Sequence, residues 1–298
     1  MIFSMPAGCL MPDRLLICTD LDRTLIPNGP QPESPKARQY FSALTSRPEV
    51  ELAYVTGRHQ KLVQDAITHY CLPLPDFVIG DVGSTIYQVE NARTWIRQIE
   101  WETSIARDWA GHSHADLKSM LSDIHALRLQ ESAKQNHFKL SFYVPLQANR
   151  QALTALIEQR FADSAIKASL IWSVDEPAGI GLLDILPASA SKFHAIEALM
   201  KMHGYTLDNT VFSGDSGNDI EVLASPVSSI LVANCQPDVK ELATLLANEN
   251  GYPDQLYLAK GNFAGMNGNY SAGILEGVVH YFPYTRDWIL NEQANQAS

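Results

Sequence analysis

Apolar positions in this chain come in short runs that stop on polar, chemically capable residues. Residues 14–19 (Arg-Leu-Leu-Ile-Cys-Thr) form one such run, ending at Asp20. An apolar stretch of this length bounded by polar residues reads as a buried strand. Residues 50–55 repeat the pattern and stop at Thr56-Gly57-Arg58, and residues 77–79 stop at Gly80-Asp81-Val82-Gly83. Between the first two, Pro27, Gly29, Pro30 and Pro32 mark a loop. Ser34-Pro35 then opens a helix to about Thr45, with proline in its first turn. Leu62, Val63, Ala66 and Ile67 place a second helix over residues 61–70. Strand, helix and strand in alternation predict a parallel sheet with right-handed crossovers, a doubly wound, Rossmann-like α/β core.

After about Tyr87 the alternation breaks. Aromatic and charged residues mix between Trp95 and Trp109, and residues 137–144 (HFKLSFYV) alternate like a strand with one exposed face. An amphipathic helix is expected at 152–161 and a strand at 182–186. This middle reads as an inserted α+β domain. The alternation returns with a helix at 192–203, a strand at 210–213 ending at Gly214-Asp215, and a helix at 220–224. Strands at 229–232 and 255–258 and a helix at 270–281 follow. The expected organisation is one core domain built from both ends of the chain, residues 1–86 and 189–298, with residues 87–188 inserted.

A chain of 298 residues, 46% of them hydrophobic, suits two domains. Its formal net charge of −11 argues against nucleic acid or an anionic membrane as partner. It also means that any phosphate site must supply its own positive charge, from a metal, a lysine or helix N-termini. The four cysteines, Cys9, Cys18, Cys71 and Cys235, form no CxxC pair and have no histidine at zinc spacing. A reducing cytoplasm is the expected compartment. Residues 1–10 are too short and uncharged for a signal peptide, and Met11 is an alternative start. No apolar run approaches the roughly 18–20 residues of a membrane helix.

The candidate chemistry lies at the carboxyl ends of the expected strands, where parallel sheets present functional groups. Asp20 and Asp22 follow the first strand. One carboxylate can attack phosphorus, and the other can exchange protons with the leaving oxygen and with water. The same pair also suits a solvated loop with a helix cap. Thr56, Gly57 and Arg58 follow the second strand and offer a hydroxyl and backbone amides for a phosphate, or merely a cap. Asp215 and Asp219 lie four apart in Gly214-Asp215-Ser216-Gly217-Asn218-Asp219. If a helix starts near Ser216 they converge, and hard carboxylate oxygens suit magnesium. Lys192, where the chain re-enters the core, can balance phosphoryl charge.

Together, Asp20-x-Asp22-x-Thr24, Thr56-Gly57-Arg58, Lys192 and Gly214-Asp215-x-x-Asn218-Asp219 resemble the haloacid dehalogenase superfamily of phosphohydrolases. A large insertion between the second and third motifs resembles the subclass with an α/β cap. Within it, residues 53–58 (Ala-Tyr-Val-Thr-Gly-Arg) and Gly83-Ser84-x-Ile86-Tyr87 are similar to sucrose-phosphate phosphatases and their mannosylfructose-phosphate relatives. So are Gln135-x-x-x-Lys139-x-Ser141-Phe142-Tyr143, residues 184–187 (Asp-Ile-Leu-Pro), and Ala272-Gly273-Ile274-Leu275-Glu276-Gly277 with His280.

The resemblance implies a phosphatase with Asp20 as nucleophile and Asp22 as general acid and base. Thr56 and Lys192 would hold the phosphoryl group, with Thr24, Gly57 and Arg58 around it. Mg²⁺ would be bound by Asp20, Asp22 through its carbonyl, and Asp215, with Asp219 and Asn218 supporting. Gln135 and Lys139 would read sugar hydroxyls, or form a polar strand face. The implied substrate is sucrose 6-phosphate, with mannosylfructose phosphate or a mannosyl-phosphoglycerate as alternatives. The implied protein is a cytoplasmic monomer, able to associate with sucrose-phosphate synthase, or else a catalytically weak docking partner of that synthase. Two features depart from the family pattern: Phe193 stands after Lys192 where glycine is usual, and residues 171–181 match poorly.

Overall fold

The computed structural model describes residues 14–290, apart from 176–177 and 262; the candidate starts and Cys9 lie outside them. In chain order the strands are β1 (Leu15–Thr19), β2 (Val50–Val55), β3 (Phe77–Gly80), β4 (Thr85–Val89), β5 (Trp95–Arg97) and β6 (Arg128–Leu129). They continue with β7 (Leu140–Val144), β8 (Ala168–Asp175), β9 (Ile180–Pro187), β10 (Thr210–Gly214), β11 (Ser228–Leu231) and β12 (Leu256–Leu258). Two compact units form, one from Met1–Ala53 with Met200–Ser298, the other from Tyr54–Leu199. The fold is α/β with a Rossmann-like core. Among the described residues no helix is long and apolar enough to cross a membrane. Cys18, Cys71 and Cys235 are free thiols.

In the first unit, β1 pairs parallel with β10, β10 with β11, and β11 with β12. Every residue of β1 is buried, as is every residue of β10 and β11. That is why these segments are apolar runs without alternation: a parallel strand covered on both faces has no wet side. Helices Ala37–Thr45, Ser271–Tyr281 and Thr285–Leu290 pack together, and Ser271–Tyr281 lies on β11. The approach is close, because a Cβ on Gly277 would stand 2.3 Å from Ile230 Cγ1. The helix Pro237–Glu249 was not read from the sequence, although Pro237 in its first turn is a recognised start signal.

The second unit contains an antiparallel meander, β3-β4-β5, and a separate four-stranded antiparallel sheet in the order β6-β7-β9-β8. Helices His114–Met120 and Arg150–Ala162 contribute Leu117, Ile157 and Phe161 to an apolar cluster with Trp109, Leu140, Phe142, Val144, Leu183 and Ile185. Leu140, Phe142 and Val144 alternate along β7, as the sequence pattern predicts. The expected strand at 137–144 begins only at Leu140, since Asn136 and Lys139 close a tight turn before it. β8 escaped the sequence reading; most of its residues are half-buried or exposed, so no face is clearly apolar.

The closeness of helix Ser271–Tyr281 to β11 generates a stability prediction. Gly277→Ala should lower stability by roughly 1–3 kcal/mol, read as a reduced melting temperature. An unchanged melting curve would mean the helix shifts without cost.

Candidate active site

The first unit brings three of the expected residues together. The Asp20 backbone N–H donates to Ser213 O at 2.9 Å, which ties the end of β1 to β10. Asp20, Asp215 and Asp219 are all buried and offer one carboxylate oxygen each within 4.8 Å of one another. The arrangement depends on two local features. Thr24 Oγ donates to Asp215 Oδ1 at 3.0 Å and stands 3.5 Å from Asp20 Oδ2, so one hydroxyl touches two of the carboxylates. Asp219 Oδ2 accepts from the backbone N–H groups of Asp215 and Ser216, each at 3.1 Å. This is a capping box in which Ser216 is the N-cap.

The segment after Ser216 is a single 3₁₀ turn, Gly217–Asp219, followed by the short helix Ile220–Leu223. Aspartates 215 and 219 therefore converge through the cap rather than along a regular helix. Gly214 permits it: a Cβ there would stand 2.6 Å from Asp219 Cγ.

Other predicted residues of this unit lie around the three. The Asp22 carboxylate is half-buried and is not one of the clustered groups; its Oδ1 accepts from Asn28 Nδ2 at 2.8 Å. Asn218 is exposed, and its Oδ1 accepts from Ser216 Oγ at 3.1 Å. Two residues were missed by sequence reasoning. Asn28 also accepts from the Arg23 N–H at 2.8 Å, and buried Asn234 donates to Arg23 O at 2.6 Å. An asparagine inside a Pro/Gly-rich loop was the one signal available for Asn28.

Three buried carboxylates this close repel one another strongly unless a cation or protons compensate. Their oxygens are hard donors, the set that Mg²⁺ prefers, so the cluster fits a divalent cation.

In the second unit, Thr56 is buried and ends β2, with its N–H donating to Ile79 O and its carbonyl accepting from Val82 N. Its Oγ accepts from the Arg58 N–H at 3.2 Å, which closes the turn leading to the helix Gln60–Tyr70. Gly57 faces open space except for Val82, 3.7 Å from where its Cβ would be. Lys192 begins the helix Lys192–His203 and is only 2% exposed, an unusual burial for a lysine. The backbone at Ser191 and Lys192 passes so near Gly83 that a Cβ there would stand 2.4 Å from Ser191 O.

Asp81, Val82 and Gly83 are consecutively left-handed, at φ 51°, 62° and 97°. For a β-branched valine this is a costly conformation, of the kind that clusters at functional sites. No local sequence signal marks the ion pairs beside it. Buried Lys139 Nζ stands 3.6 Å from Asp81 Oδ1 and 3.7 Å from Asp184 Oδ2. Burial pushes the Asp81 carboxyl up from its ordinary value, with Lys139 opposing the rise. Gln135 is engaged within the same sheet region: its Nε2 donates to Gln130 O and Ser141 O, and its Oε1 accepts from the Ser141 N–H and faces His114.

A Rossmann-like sheet with an aspartate ending the first strand and two more at the end of its neighbour fits the haloacid dehalogenase type of phosphatase that the motifs resemble. The sequence profile of the sucrose-6F-phosphate phosphohydrolases matches residues 13–282, and the chain belongs to that family. It is 52% identical over 279 residues to a protein of Nitrosococcus oceani described as a HAD-like hydrolase, covering 94% of this chain and 75% of that one. To sucrose-phosphatase 1 of Nicotiana tabacum it is 28% identical over 279 residues, covering 90% of this chain and 59% of the tobacco protein. The chain thus spans well under two thirds of that plant relative. In fold it is similar to the sucrose-phosphatase of Synechocystis sp. PCC6803, solved with sucrose and phosphate. The TM-score is 0.67 at 24% identity, covering 90% of this chain and 98% of that one.

Gly214→Ala drives a methyl group into the Asp219 carboxyl and should disperse the cluster. The expected result is that Mg²⁺ raises the melting temperature of the parent protein but not that of the variant. A variant that keeps the full Mg²⁺ response would show that Asp219 is not needed for cation binding.

Proposed function

We propose that this chain hydrolyses a sugar phosphate with Mg²⁺ as cofactor, sucrose 6-phosphate first among candidates, through a phosphoryl group carried on Asp20. The observation that carries the proposal is the buried cluster Asp20–Asp215–Asp219 at the ends of β1 and β10, in a chain of the sucrose-6F-phosphate phosphohydrolase family. Asp20, the Asp22 carbonyl and Asp215 hold the cation, with Asp219 and Asn218 behind them. When bound, it offsets the negative charge that two anions bring to one site.

An Asp20 oxygen attacks phosphorus as the bond to the sugar oxygen breaks, and Asp22 gives that oxygen its proton. Asp22, poised by Asn28 and partly open to solvent, then takes a proton from the water that attacks the aspartyl-phosphate. Phosphate leaves and Asp20 is restored. Thr24 orients Asp20 and Asp215. Thr56 and Lys192 hold the phosphoryl oxygens, with Gly57 and Arg58 beside them, and fixed charge supplies much of the acceleration.

Residues 87–188 are assigned as the specificity domain of a core built from 1–86 and 189–298. Lys139 and its two carboxylate neighbours offer a donor and acceptors suited to sugar hydroxyls. Gln135 contributes by fixing the turn before β7. A cytoplasmic, monomeric enzyme fits this reading.

The test is phosphate release from a panel of sugar phosphates with Mg²⁺ and with a chelator. Sucrose 6-phosphate should be hydrolysed best, chelation should silence the reaction, and Asp20→Asn should cut turnover by about 10³-fold or more. Preference for mannosylfructose phosphate would move the substrate and leave the chemistry. Turnover indifferent to both chelator and Asp20→Asn would refute the proposal.

A further inference from the structure

Arg23, between Asp22 and Thr24, is unused by the chemistry described so far, yet its backbone is held on both sides. It is left-handed at φ 60°, a conformation unfavourable for a non-glycine residue. Its N–H donates to Asn28 Oδ1 and Ile26 O, at 2.8 and 3.1 Å, and its carbonyl accepts from Asn234 at 2.6 Å. These bonds aim the side chain towards the acidic cluster. Its Nε stands 3.7 Å from Asp215 Oδ2. Nε and Nη2 are both shielded from solvent and hydrogen-bond to no protein atom.

Shielding two guanidinium donors without spending them is unfavourable. The compensation within reach is attraction to the clustered carboxylates. A positive charge beside the three carboxylates reduces the repulsion that would otherwise open the cluster. Thr24 already occupies Asp215 Oδ1, so the guanidinium lies on the other oxygen of the same carboxylate.

From this geometry we infer that Arg23 is a resident counter-ion of the Asp20–Asp215–Asp219 cluster and that its charge competes with the divalent cation there. The inference rests on the reading of the cluster as a Mg²⁺ site. Arg23 keeps the cluster assembled before the cation arrives, and it weakens the cation's hold once bound. Arg23 is a positioning residue in this scheme, acting through Asp215.

The test measures Mg²⁺ binding by calorimetry, and thermal melting with and without Mg²⁺, on the full chain and on Arg23→Gln and Arg23→Lys. A unit charge beside a ligand oxygen in a partly screened site alters cation affinity by roughly three- to tenfold. Arg23→Gln should therefore bind Mg²⁺ that much more tightly and melt earlier than the parent without cation, the gap narrowing at saturating Mg²⁺. Arg23→Lys keeps the charge and should stay within about twofold of the parent affinity. Unchanged or weaker Mg²⁺ binding in Arg23→Gln overturns the competition. Loss of inorganic phosphate binding in Arg23→Gln with Mg²⁺ affinity unaltered would assign its donors to the substrate anion and overturn it equally. If the parent itself binds no Mg²⁺, the metal reading fails. An unchanged cation-free melting temperature in Arg23→Gln then rejects the counter-ion role on its own.

Discussion

Mutual repulsion among three buried carboxylates, whose oxygens lie within 4.8 Å of one another, is the constraint that organises the first unit. Ionised groups so close in a weakly polar setting are tolerated only where charge and hydrogen bonds compensate. The surrounding polar contacts do that work in turn. Two backbone amides and the Ser216 hydroxyl serve Asp219, Thr24 serves Asp215, and Arg23 brings a positive charge near it. The fully buried strands β1 and β10 make this possible. Parallel pairing of Thr19 with Ser213 brings Asp20 level with the turn after Gly214, so groups 195 positions apart in sequence meet without a long loop.

The second unit handles buried charge differently. Lys139 has two carboxylate neighbours at 3.6 and 3.7 Å, distances long for direct hydrogen bonds. The group is held in place by its surroundings: Ser141 donates to Asp184 at 2.5 Å, and Asn136 reaches the Ser84 and Thr85 hydroxyls. The left-handed run at residues 81–83 brings Asp81 into this group. Strain of that kind persists only where neighbouring structure enforces it. Here the enforcement comes from the Trp101 indole N–H on Gly83 O at 3.0 Å and from the Asp81 N–H on Arg58 O.

Much of the core was legible because burial on both faces writes itself as an uninterrupted apolar run, as in β1 and β10. The polar residue that stops each run then marks the strand's working end. Asp20 and Asp215 were readable for that reason. β8 was not, because partly exposed residues on both faces leave no period to detect. The Lys139–Asp81 and Lys139–Asp184 pairs were hidden for another reason: their partners lie 58 and 45 positions away, and no local rule links them. Asn28 and Asn234 act through side-chain contacts with the backbone, and Asn28 also with Asp22, which composition does not reveal. The burial of Lys192 was likewise unreadable from its place at a helix start, where solvent exposure is the ordinary outcome.

All of this structure is read as serving one event, transfer of a phosphoryl group to Asp20. The most direct measurement is rapid acid quench of the parent protein during turnover of sucrose 6-phosphate with Mg²⁺, followed by mass spectrometry, since formation and hydrolysis of the intermediate both need Asp22 and acid stops them together. A phosphate mass is expected on the peptide that contains Asp20, and is absent from Asp20→Asn. Turnover in the parent protein with the label found on another residue, or on none under trapping conditions, would contradict it.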